Sequence, residues 1–169
     1  MPMSDREINI ATALIAGGLA GLAATVPMTM AMTRIHRRLP WQQRYALPPR
    51  IITDRISERA SIPASLLPAR GPERALAAHF LFGGATGSAY GFLTSTTSIK
   101  PTLTSGVIYG LGVWTISYLG WVPAANLMPP ATRQPRERNA MMIAAHIVWG
   151  AAVGMGAAAG LAATGRKSA

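Results

Sequence analysis

Two histidines, His79 and His146, are the side chains in this sequence best placed to do chemistry, because each stands in an apolar stretch free of charge. Each follows an Ala-Ala pair and leads into two apolar residues, an aromatic and a Gly-x-Ala-x-Gly run, Phe82 to Gly87 in one copy and Trp149 to Gly154 in the other. The copies lie 67 residues apart and read as an internal repeat. Three uses of the imidazoles are open. They can bond a neighbouring helix across a glycine groove. They can act as axial ligands of a haem or chlorin, with the glycines leaving room for a macrocycle. They can titrate along a proton or substrate path, although no carboxylate accompanies them in the apolar stretches. The repeat places both about 8–12 Å in from the arginine-bearing ends of their helices, at similar depths. His36, among arginines, reads as solvated.

The elements that carry this pair must be membrane helices. Half of the 169 residues are apolar, 13% are charged, and the charges avoid four windows. The windows correspond to spans over about 8–33, 75–93, 103–126 and 139–164, each of about the 20 residues a bilayer requires. A soluble bundle would show charges every turn on its wet face. The whole chain therefore reads as one all-α integral membrane domain of four transmembrane helices. The acidic start Ser4-Asp5-Arg6-Glu7 and the length of the first apolar run mark that run as a retained span rather than a signal peptide.

The net charge of +10 has a topological explanation. Between the first and second spans lie Arg34, Arg37, Arg38, Arg44, Arg50, Arg55, Arg59, Arg70 and Arg74; between the third and fourth lie Arg133, Arg136 and Arg138. The other side carries only Arg6, Lys100, Arg166 and Lys167. The positive-inside rule puts both arginine-rich loops in the cytoplasm of a bacterial inner-membrane protein and both termini in the periplasm. The expected partners are the bilayer and a membrane-protein complex or second copy of the chain, and no nucleic acid. No cysteine is present, so thiolate metal sites, disulfides and cysteine nucleophiles are excluded. No paired-carboxylate site, phosphate-binding loop or nucleophile elbow occurs. No catalytic activity, catalytic residue or bound metal is expected.

Glycines recur at helical spacing: Gly17 and Gly21; Gly83, Gly87 and Gly91; Gly106 and Gly110; Gly150 and Gly154. Such ridges let helix backbones approach closely where lipid gives no hydrophobic drive for association. Pro27 should kink the first span, with Thr25 or Thr29 satisfying the carbonyl it frees. In the first loop, Pro49 starts a short interfacial helix that stops before Pro63. Ile52, Ile56 and Ala60 share one of its faces, Arg50 pairs with Asp54 and Arg55 with Glu58, and Trp41 and Tyr45 lie at headgroup depth. Arg50, Arg55 and Arg59 are the candidate contacts for a partner or anionic lipid. Leu47-Pro48-Pro49 is echoed by Leu127-Met128-Pro129-Pro130, so the repeat unit is a two-helix hairpin and the two copies must run parallel.

Leu47 to Thr53, the two Ala-Ala-His starts and Gly110-Leu-Gly-Val-Trp114 resemble the YagU-like family of small bacterial inner-membrane proteins of unknown function. The resemblance implies a location and supplies no catalytic or binding residues.

Overall fold

The computed structural model describes residues 5–61 and 71–165. Expectations resting on the side chains of Asp5, Arg6 and Glu7, on Pro63, on Arg70, and on Arg166 and Lys167 lie outside the described residues. Within them the only regular secondary structure is helix, with no strand. Its helices are α1 (Asp5–His36), α2 (Pro48–Arg59), α3 (Gly71–Thr96), α4 (Leu103–Ala124, with a π-helical stretch at Ile116–Trp121) and α5 (Arg136–Gly165). α1, α4 and α5 are long and apolar enough to cross a membrane. α3 is comparable in length at 26 residues but less apolar, because His79, Ser88, Tyr90 and several glycines stand where aliphatic side chains would.

The four long helices form an arc in the order α3, α1, α5, α4. Glycine dictates the close crossings. A Cβ added at Gly17 would strike the Gly87 carbonyl oxygen, and one at Gly21 would lie 2.8 Å from the Gly87 Cα. In the other crossing a Cβ at Gly106 would meet the Gly150 oxygen, and one at Gly110 would lie 3.0 Å from the Gly150 Cα. Both crossings are antiparallel. Between α1 and α5 the fit is looser and uses Ala16 and Ala20 against Gly160 and Gly156, a ridge the sequence reading did not single out.

The two glycine crossings superimpose in a register different from the Ala-Ala-His repeat. Gly17 and Gly106 play the same part, as do Gly21 and Gly110. Their partners are then Gly87 with Gly150 and Gly91 with Gly154, and Gly83 answers His146. The helices cross 63 residues apart, not 67, so His146 sits one turn nearer its crossing than His79 does. The two imidazoles therefore differ in packing: His146 is buried at 5% exposure, and His79 is only partly covered.

α1 runs through Pro27 without a break. Thr25 Oγ1 donates to the Gly21 carbonyl at 2.8 Å and Thr29 Oγ1 to that of Thr25 at 2.7 Å. Neither hydroxyl is bonded to the Ala23 carbonyl that Pro27 frees, contrary to the expected repair. α4 is opened by a reciprocal cap, Ser105 N–H to Thr102 Oγ1 at 3.1 Å and Thr102 N–H to Ser105 Oγ at 3.0 Å. It closes with Asn126 in the left-handed region, φ 51°, the Asn126 N–H on the Pro123 carbonyl and the Leu127 N–H on that of Val122.

α2 begins at Pro48, with the Arg50–Asp54 pair at 3.6 Å. Its apolar face turns onto the protein, where Ile51 and Ile52 pack against the core. Two contacts hold it there. Asp54 lies 4.0 Å from Arg74 of α3. Arg59 donates to the carbonyls of Ala125 and Asn126, the acceptors left over at the end of α4.

Candidate functional site

α3 and α4 touch sparsely. Two tyrosines tie them near the 97–102 turn: the Tyr90 hydroxyl is 2.7 Å from Ser105 Oγ, and the Tyr109 hydroxyl donates to the Thr86 carbonyl at 2.8 Å. Toward the α2 end this pairing stops, leaving a cleft of about 190 Å³. α1 and α5 form its floor, and α2 covers the end with Pro49, Ile52, Thr53 and Ile56. Phe82 and Trp121 form its side lips, both exposed, their rings 6.2 Å apart and tilted by 45°.

Both repeat histidines line this cleft, which is apolar apart from them and a few hydroxyls. His146 Nδ1 is 2.7 Å from the Met142 carbonyl. A carbonyl only accepts, so Nδ1 carries the proton and Nε2 presents a lone pair. The Tyr118 ring stands edge-on to His146 at 87°, centroids 6.0 Å apart. His79 Nε2 is buried with no hydrogen-bond partner among the described residues. Most other polar groups are internally satisfied: Thr25 and Thr53 on carbonyls one turn back, Trp149 Nε1 on the Gly21 carbonyl at 3.2 Å, and Ser117 Oγ accepting from Trp121 Nε1 at 3.3 Å. Tyr118 and Ser117 lie on the π-helical stretch, where one extra residue per turn re-aims the side chains of the α4 end.

The orphaned His79 nitrogen has a measurable cost. Burying an unpaired polar atom is unfavourable by about 1–3 kcal/mol. His79→Phe should therefore leave the thermal unfolding midpoint of the detergent-solubilised protein unchanged or raise it, whereas a structural imidazole would make the same change destabilising.

The volume limits what fits. A cavity of about 150 Å³ holds one benzene, so a cleft of about 190 Å³ has room for a single substituted ring. Among the described residues no cluster of three or more His, Asp or Glu could hold a metal.

The candidate arginines divide. Arg55 is exposed, and Arg50 is occupied by its exposed pairing with Asp54. Arg59 is taken up in holding α2 to α4. The sequence reading missed Arg138, counted there only as a loop charge. It is 1% exposed, lies 3.7 Å over the Tyr45 ring, and donates to the carbonyls of Gln43, Tyr45 and Ala46 at 2.7, 3.2 and 2.9 Å. Trp41, by contrast, is exposed. Tyr118 was also missed as a site residue. Its only sequence signal is a short polar interruption, Ser117-Tyr118, in an apolar run.

Long apolar helices around a side-opening cleft define a membrane protein with a candidate ligand site. The chain belongs to the DUF1440 family, proteins of unknown function, whose model matches residues 48–155. The matched region takes in α2, α3, α4 and the part of α5 that bears His146. No curated protein and no solved structure matches the chain.

Proposed function

We propose that the chain is a four-span protein of the bacterial inner membrane, with both termini in the periplasm and α2 on the cytoplasmic side. It works by holding a small ligand or partner non-covalently in the cleft between α3 and α4, without catalysis. The observation that carries this reading is the convergence of both histidines on an apolar cleft that opens sideways, one of them with an unpartnered nitrogen. Buried polar groups are normally satisfied, so an orphan on a side chain that lines a cleft points to a group supplied from outside.

The fourth span rests on packing. α3 lies antiparallel to α1 in backbone contact from Gly83 to Gly91, and its 26 residues reach about 39 Å, more than the roughly 30 Å of hydrocarbon. A helix of that length in backbone contact with a spanning neighbour shares its slab. The matching glycine crossings support two parallel hairpin repeats. The glycines are the scaffold, and Arg50 and Arg55 are the surface offered to anionic lipid or a partner. The likeness to the YagU-like group belongs to the same reading.

The chain has no cysteine, so single replacements report topology. Ile99→Cys should react with a membrane-impermeant maleimide on intact spheroplasts, and Ser57→Cys only after permeabilisation. Reaction of both from the same side would rule out α3 as a span. Ala78→Cys should react with a lipophilic maleimide if the cleft is open to the bilayer, and its inertness would count against a ligand site there.

A further inference from the structure

We infer that the cleft between α3 and α4 receives the ring of a membrane-borne quinol, with the tail leaving past the Phe82–Trp121 pair into the bilayer. This rests on the reading of the cleft as a ligand site and adds the chemical class of its occupant.

Four features select that class. The first is the tautomer. With Nδ1–H committed to the Met142 carbonyl, His146 Nε2 can only accept, so its partner must bring a hydrogen-bond donor. A ring hydroxyl does so and a quinone carbonyl does not. The second is His79, whose Nε2, on the α3 side, is buried and unpaired among the described residues. A saturated acyl chain would leave both nitrogens unsatisfied, which is unfavourable at each. The third is charge. Among the described residues no Lys or Arg lines the cleft, so a phosphate or carboxylate headgroup would be desolvated there without a counter-ion. The fourth is shape. About 190 Å³ suits one substituted ring, and Phe82, Trp121, Tyr118 and Trp149 supply aromatic faces and edges to contact it. The sideways opening then lets a long apolar tail remain in lipid while the ring is enclosed. The inference concerns binding alone and includes no electron transfer.

The test uses the full-length protein in mild detergent, titrated with a short-tailed ubiquinol kept reduced without oxygen. The matching ubiquinone, an alcohol with the same tail and an anionic phospholipid are titrated in parallel. Saturable quenching of tryptophan fluorescence and thermal stabilisation are the readouts. The quinol should bind about tenfold or more tightly than the quinone, the factor that one buried hydrogen bond supports. His146→Asn keeps a donor for the Met142 carbonyl and removes the Nε2 lone pair, so it should erase the quinol preference while the unliganded melting point stays in place. Should that variant not fold, the quinol-to-quinone ratio of the unsubstituted protein and the weakened binding of both forms by His79→Phe still decide. Equal affinity for quinol and quinone, or a preference that survives His146→Asn, overturns the inference. Saturable binding of only the alcohol or the phospholipid overturns it too, while leaving the cleft as a ligand site. If no probe binds saturably and Ala78→Cys is inert, the inference and the proposed function fail together.

Discussion

Gly87→Val should leave little folded protein. Two backbones meet at Gly87: an added Cβ would strike the Gly17 carbonyl oxygen and lie 2.7 Å from the Gly21 Cα. Neither is the end of a flexible side chain, so no rotamer change makes room and the α1–α3 crossing must open. Overpacking a well-fitted core costs about 1–3 kcal/mol and occasionally more. Here the clash is backbone on backbone, in a setting where close packing replaces the hydrophobic effect as the source of helix association. A loss of about 3 kcal/mol or more is expected, seen as a lowered unfolding temperature and a shift to aggregate on size exclusion in detergent. Gly150→Val should behave alike, since its Cβ would meet the Gly106 carbonyl and the Gly110 Cα at 3.1 Å. Gly112→Ala is the contrast. Nothing lies within 4 Å of its added Cβ, and replacing a mid-helix glycine by alanine gains about 0.5–1 kcal/mol. Equal stability of all three variants would mean that the crossings do not hold the bundle together.

Arg138→Met should be comparably damaging for a different reason. The guanidinium satisfies three carbonyls of the 43–46 segment while lying against the Tyr45 ring. Glu137 beside it accepts from Gln43 Nε2 at 2.9 Å. Together they fasten the loop after α1 to the start of α5. Hydrogen bonds to a charged group contribute about 1.5–3 kcal/mol each, so a net loss of about 3 kcal/mol or more is expected after the freed carbonyls find water. Limited trypsin digestion should then cut at Arg38 and Arg44 well before the unsubstituted protein is cut there. Arg138→Lys should recover only part of the loss, since a single ammonium cannot reproduce the planar fork that reaches carbonyls on both sides. Unchanged digestion of Arg138→Met would remove the clamp from the account.

Much of this architecture is legible in the residues alone. Charge-free windows locate α1, α4 and α5 as helices able to cross a membrane, because a charged side chain in hydrocarbon is too unfavourable to appear there by accident. Pro48-Pro49 marks the start of α2, since proline fits a first helical turn and little else in a helix. The four-residue glycine spacing identifies which faces are thin enough for contact. The burial of Arg138 was not legible, because a basic residue beside a span has the same sequence signature whether it faces lipid headgroups or a loop folded over it.

The register of the helices was decided only in three dimensions. A glycine ridge that repeats every four residues looks the same after sliding by one turn, so the sequence match at 67 residues and the packing match at 63 are equally compatible with every ridge. What separates them is the fit of one backbone against another: Gly83, not His79, takes the place in the α1–α3 crossing that His146 takes between α4 and α5. That one-turn slip sets the two imidazoles at different positions, with one against the Met142 carbonyl and the other's Nε2 without a hydrogen-bond partner among the described residues. The residues of the cleft are thus written in the sequence, but their meeting depends on contacts between helices that no single helix encodes.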